Sequence, residues 1–228
     1  MQSIIKKLSL LTILAVLHTV TWAQIKGSRN VIKEERSISG VEKLVLRGAA
    51  NLYLTQGNNE SLTIEADDNI VPIVITEVNG GVLEIGMDKW VRDYEKFNIY
   101  LTVKQLNSIK VSGACDIEAK SLFKSNESFV LEVSGATDVD LILEVPSIKC
   151  SVSGASDVTL KGNSTQMEVD INGASDFKAV EFLVQKATVL VSGASNADVN
   201  VAQEITYDER GASDIRYKGS PNLIKYQK

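Results

Sequence analysis

Five aspartates recur along the chain at nearly even intervals: Asp116, Asp138, Asp157, Asp176 and Asp214. Asn196 fills the same place in a sixth copy. Three chemistries are open to such a row. Hard cations such as Ca²⁺ favour carboxylate oxygen. Two carboxylates held across a cleft could cleave a glycoside as acid and base. Aspartate and serine side chains also bond neighbouring backbone amides and so hold turns. The only histidine, His18, lies near the start. Beyond it, Ser-His-Asp catalysis, Cys-His catalysis and histidine-ligated metal are excluded.

The elements that position the row are legible from what surrounds each aspartate. All six copies follow glycine and alanine: Gly113-Ala114, Gly135-Ala136, Gly154-Ala155, Gly173-Ala174, Gly193-Ala194 and Gly211-Ala212. The glycines are 22, 19, 19, 20 and 18 residues apart. A period near 20 with variable spacers is the signature of a solenoid, one copy per coil. Four and two residues before the glycines, Ile109/Val111, Leu131/Val133, Cys150/Val152, Val169/Ile171 and Val189/Val191 alternate with mostly polar neighbours. Four and six residues after them, Ile117/Ala119, Val139/Leu141, Val158/Leu160, Phe177/Ala179 and Ala197/Val199 do the same. Alternation on both sides of a tight corner means two strands sharing one interior.

The fold expected is therefore all-β, a parallel β-solenoid (β-helix, pectin-lyase-like superhelix) with coils of about 20 residues. Six coils at about 4.8 Å make a segment about 25–30 Å long. The glycines are expected to supply unusual backbone angles at the corner. The unvarying alanines are expected to point inward at a pinch where nothing larger fits. An earlier copy, "LVLRGAANLYL" at 44–54, fits the same columns, and Gly48 precedes Gly113 by 65 residues. The interval reads as three further coils with degraded corners and a break near residues 87–97. Stacked carboxylates about 5 Å apart repel by about 1 kcal/mol per neighbour in water. Turn amides and serine hydroxyls donating to them are the expected remedy.

Lys6 and Lys7, the apolar stretch 8–20 and the small residues before Gln24 read as an export signal. The organisation expected is a cleaved leader over 1–23, an N-terminal solenoid part with irregular coils over 24–110, and regular coils over 111–228. Without the leader, 24 basic residues become 22 against 29 acidic ones, a net charge of −7. Such a chain is a poor partner for nucleic acid or an anionic membrane surface. No membrane span is expected after cleavage, since no later apolar run is long enough. Cys115 and Cys150 fall in different columns of separated coils, so no disulfide between them is expected. Coils without caps invite end-to-end pairing, so oligomerisation is open.

The segment "EKLVLRGAANLYLTQGNNESLTIEADDNI" at 42–70, the continuation "VPIVITEVNGGVLEI" and the repeated "SGASD" corners resemble a known family. It is the head GIN domain family of Gram-negative bacteria, described as autotransporter adhesins, and the likeness covers about residues 30–217. The resemblance implies a two-sheeted β-superhelix with glycine-centred turns between the sheets. It implies no catalytic residues, and a role in adhesion.

Sequence and resemblance together give an exported, non-enzymatic scaffold, periplasmic, on the outer surface or extracellular, that binds a surface ligand, glycan or protein. No catalytic residue and no cofactor are expected. Ca²⁺ on Asp116, Asp138, Asp157, Asp176 and Asp214 is the one metal the row could take. The rival is a carbohydrate-binding or Ca²⁺-assisted polysaccharide-active module. Arg210 and Arg216 near Asp214 keep that rival open, although both could equally pair with Asp214 and Asp198.

Overall fold

The computed structural model describes residues 24–225; the expected leader lies outside the described residues. Apart from one 3-10 turn at Val71–Ile73, the regular structure is extended strand. Four consecutive coils are each one nearly unbroken run, Asp138–Gly154, Asp157–Gly173, Asp176–Gly193 and Asn196–Gly211, paired in parallel with the next. The glycines stack in register, Gly48 on Gly113, then Gly135, Gly154, Gly173, Gly193 and Gly211. This is a parallel β-solenoid of seven stacked corners.

Alternation builds the interior. In one coil Val139, Leu141, Leu143, Val145, Ile148, Cys150 and Val152 are all buried, while Asp138, Pro146 and Lys149 lie outside. Each buried aliphatic side chain contributes about 1.5–3 kcal/mol, but only once a neighbouring coil covers it, so stacking and folding are one process. Bulk is traded between adjacent positions and coils. Phe177 sits beside Ala179, and Phe182 lies in register with Gly162, which leaves it room.

The stretch between Gly48 and Gly113 corrects the reading of three more coils. Gly48 and Gly113 are adjacent in the stack despite their separation in sequence. The intervening chain adds antiparallel strands to the end of the rod. On one sheet, Phe97–Val103 lies parallel to Asn51–Gln56, then Ser61–Asp67 and Val31–Arg36 follow, each antiparallel to the last. On the other sheet, Val82–Met87 lies parallel to Lys43–Gly48, and Val74–Asn79 folds back on it through Gly80 and Gly81, both with positive φ. Period-two alternation is the same for parallel and antiparallel strands, so the apolar pattern could not separate the two arrangements. Near residues 87–97 the chain leaves the solenoid, and Val91–Asp93 pairs separately with Ile25–Lys26.

A polar lid closes this end. On the edge strand Val31–Arg36, the core-side positions include Glu34 and Arg36, which pair at 2.8 Å. The Arg36 guanidinium crosses to the other sheet and donates to the Val71 carbonyl at 2.7 Å, the Thr76 hydroxyl at 2.9 Å and the Val74 carbonyl. Asp67, fully buried, accepts the Arg29 amide at 2.9 Å and the Glu95 amide at 3.0 Å, tying the entering chain to the same end.

Candidate functional site

The corner is where the repeated residues meet. Each repeat glycine has φ between +84° and +119°, which an L side chain adopts only with strain. The stacking adds a second demand. A Cβ on Gly154 would stand 2.2 Å from the Gly135 carbonyl oxygen, and one on Gly135 would stand 2.2 Å from that of Gly113. Each glycine carbonyl is also the acceptor for the next coil's alanine amide, as in Ala155 N to Gly135 O at 2.7 Å.

The alanines do not fill a pinch. Ala114, Ala136, Ala155, Ala174, Ala194 and Ala212 are all exposed. The buried position is the next one, held by Cys115, Thr137, Ser156, Ser175 and Ser195. Its side chains staple successive coils. The Ser156 hydroxyl donates to the Gly135 carbonyl at 3.2 Å and accepts the Thr137 amide at 3.2 Å. Ser175 does the same for Gly154 and Ser156, and Ser195 accepts the Ser175 amide. The hydroxyls therefore point away from the aspartates and do not hold the carboxylates, contrary to the expected remedy. Cys115 and Cys150 are both buried free thiols, and burial pushes both above the usual thiol range.

The aspartates stand on the outer face of one sheet, in a row running Asn98, Asn51, Asp116, Asp138, Asp157, Asp176, Asn196, Asp214. Partners offset the repulsion at Asp157, Asp176 and Asp214. Lys178 Nζ lies 3.3 Å from Asp157, Asn196 Nδ2 donates to Asp176 at 2.9 Å, and Arg216 lies 3.4 Å from Asp214 and 3.0 Å from Asp198. The three asparagines break the run of charge. Among the described residues, no three acidic or cysteine side chains converge as a metal-ligand set.

Toward the lidded end the same face carries a cluster that the aspartate periodicity does not point to. Tyr53 and Tyr100 stack with ring centroids 5.1 Å apart. Lys120 lies over Tyr53 at 4.9 Å and Lys33 over Tyr100 at 5.2 Å. Beneath them, Asn51 Nδ2 donates to Asn98 Oδ1 at 3.0 Å, and Asn98 Nδ2 donates to Glu65 at 3.1 Å. The Tyr100 hydroxyl also donates to Glu65, at 2.8 Å. That hydrogen bond, aided by Asn98, Lys33 and Lys96, holds the Glu65 carboxyl below the usual carboxylate range, and in turn pushes the Tyr100 phenol up. With its oxygens committed to these donors, Glu65 orients Tyr100, on which Tyr53 stacks, and stays ionised. The signal was present in the sequence: "NLYLT" at 51–55 and "NIYLT" at 98–102 are near copies and stack in register.

A groove of about 550 Å³ borders the first corner, lined by Gly48, Ala49, Ile75, Met87, Trp90 and Tyr94. Trp90 is 75% exposed there. Tyrosine and tryptophan are among the residue types enriched at protein contact surfaces.

Comparison with known proteins agrees with this architecture. A family profile described as "Putative auto-transporter adhesin, head GIN domain" matches residues 41–221. No curated protein matches the sequence. Among solved structures, a "putative adhesin" from Bacteroides fragilis NCTC 9343 superposes with a TM-score of 0.83 at 25% identity, covering 88% of this chain and 95% of that one. A "putative adhesin" from Parabacteroides merdae ATCC 43184 gives 0.70 at 19% identity, covering 89% and 95%. A "Putative lipid binding protein" from Parabacteroides distasonis ATCC 8503 gives 0.69 at 18%, again covering 89% and 95%. The last two are similar in fold alone.

Proposed function

The chain belongs to the head GIN domain family, and on that premise we propose that it is an exported, non-enzymatic scaffold that mediates adhesion at the cell envelope of a Gram-negative bacterium. The contact surface is the outer face carrying the tyrosine pair and the aspartate row. The observation that carries this reading is the Tyr53–Tyr100 stack, held on rigid parallel strands by Glu65, Asn98 and Asn51. Aromatic side chains already ordered in the free protein lose little entropy on contact, which favours binding. The reading of residues 1–23 as an export signal favours an envelope or surface location.

The test is attachment by the source bacterium after deletion of the gene. Wild-type protein should restore attachment, and protein carrying Tyr53→Ala with Tyr100→Ala, exported in equal amount, should not. If deletion leaves attachment unchanged, the adhesion reading is wrong. If the double variant restores attachment fully, adhesion stands and the chosen face is wrong. Fractionation with surface proteolysis reads the location separately.

A further inference from the structure

The two ends of the solenoid are finished in opposite ways. At the end bearing strand Val31–Arg36, charge covers most of the core: of the core-side positions Ile32, Glu34 and Arg36, two are charged, and Arg36 satisfies the carbonyls of Val71 and Val74 across the core. Inward-pointing charge on an edge strand is how sheets prevent pairing. At the other end, strands Asp214–Lys218 and Asn222–Lys225 each pair only with Asn196–Gly211 among the described residues. Their core-side positions are Ile215 on Ala197, Tyr217 on Val199 and Leu223 on Ile205. These continue fully buried columns, yet Tyr217 is 46% and Leu223 50% exposed. Among the described residues, no strand pairs with the outer edge of either one.

We propose that this end is a dimer interface, with two copies of the chain meeting edge to edge about a twofold axis. The occupant is read from the edge strand itself, Asp214-Ile215-Arg216-Tyr217-Lys218. Laid antiparallel on a second copy and centred on Arg216, the strand is self-complementary. Asp214 faces Lys218 of the other copy and Lys218 faces Asp214, on the solvent side. Ile215 faces Tyr217 on the core side, twice. Arg216 meets its own copy, but its guanidinium is already paired with Asp198 at 3.0 Å and Asp214 at 3.4 Å. A twofold interface requires this self-complementarity. A head-to-tail contact would instead press the apolar end onto the Glu34–Arg36 lid and leave charges without water. The dimer therefore closes on itself and does not extend into a filament. It is independent of what the outer face binds.

The test is sedimentation equilibrium on the chain from Gln24 onward, over a range of protein concentrations. Wild type should show a monomer–dimer equilibrium with no larger species. Asp214→Lys and Lys218→Asp should each raise the dissociation constant about tenfold, because each sets two like-charge pairs across the axis. The double variant D214K/K218D should recover to within a few-fold of wild type. Tyr217→Lys should be monomeric, with a circular dichroism spectrum matching wild type. A wild type that stays monomeric at hundreds of micromolar overturns the proposal. So does an open-ended polymer, or a double variant no tighter than its parents. If Tyr217→Lys does not fold, the charge-swap series still decides the matter.

Discussion

Gly154→Ala against Gly48→Ala separates two reasons for glycine at the corner. Both positions have strongly positive φ, +97° and +108°. A Cβ at Gly48 would meet nothing within 4 Å, because that corner begins the stack. A Cβ at Gly154 would stand 2.2 Å from the Gly135 carbonyl oxygen and 2.9 Å from its amide nitrogen. Gly48→Ala should therefore cost only the backbone penalty, about 1–2 kcal/mol. Gly154→Ala pays that penalty and must also push one coil off the next by more than an ångström. Doing so weakens the Ala155 amide bond at 2.7 Å and the Ser156 hydroxyl bond at 3.2 Å, both to Gly135. Each is worth about 1 kcal/mol, and strain in the packed stack adds about 1–3 kcal/mol. The total is about 4–7 kcal/mol, comparable to the whole stability of many domains. Urea unfolding followed by far-UV circular dichroism reads the difference. Gly211→Ala, in the last coil and 2.6 Å from its obstacle, should fall between the two, since an end coil can shift. Equal losses at Gly48 and Gly154 would refute the close-stacking argument and leave only backbone conformation.

Ala155→Leu should change stability by no more than about 0.5 kcal/mol, since its side chain points to solvent. Ser156→Ala should cost about 1–3 kcal/mol by leaving the buried Thr137 amide without its acceptor; the reverse order in thermal melts would restore the inward-alanine reading. The Glu65 carboxyl titrates lower folded than unfolded, so the stability it contributes is present above the ordinary carboxylate value of about 4.3 and is lost as pH falls through the folded value. Glu65→Gln should thus flatten the fall of melting temperature below about pH 4, and a profile parallel to wild type would contradict this. Millimolar Ca²⁺ should leave the melting temperature unmoved, because Asp157, Asp176 and Asp214 already have nitrogen partners. A rise that Asp138→Asn abolishes would instead make the aspartate row a cation site, since ligand at a hundred times its dissociation constant adds about 2.7 kcal/mol.

The regular coils were legible because one physical signal repeats in them without interference. Alternation fixes which side chains face inward, and the recurring glycine fixes where the chain turns. Between Gly48 and Gly113 alternation persisted while its meaning changed. Leu62, Ile64, Ile99 and Leu101 are as inward as any solenoid residue, yet their strands run antiparallel to one another. The local clue was Asn79-Gly80-Gly81, a hairpin signal between two apolar runs. The tyrosine cluster was hidden for a different reason. Its members, Lys33, Glu65, Tyr53, Tyr100 and Lys120, come from five separate strands or loops, and only the returning chain brings them together. Of the cluster, only the paired "NLYLT" and "NIYLT" could be seen in the sequence.

The serine column was readable, and parity shows how. Counted from the corner glycine, the buried positions lie at −4, −2, +4 and +6, all even. Carried through the corner without a break, the same parity puts +2, Ser156, inside and +1, Ala155, outside, as the structure has them. Lack of variation at +1 suggested a steric limit, whereas variation at +2 carried the information. From the second coil to the fifth, the residue at +2 donates backward, to the glycine carbonyl of the preceding coil. The first coil has no preceding coil, and it alone has no donor there: Ala50, buried and apolar. The second coil uses the Cys115 thiol, 3.4 Å from the Gly48 carbonyl. From the third onward hydroxyls take over, with Thr137 and then serine. The column thus changes chemistry where the stack supplies an acceptor. A column of solvent-facing turn residues would show no such step, so the hydroxyls belong to the machinery that holds coil to coil, while the aspartates beside them face outward.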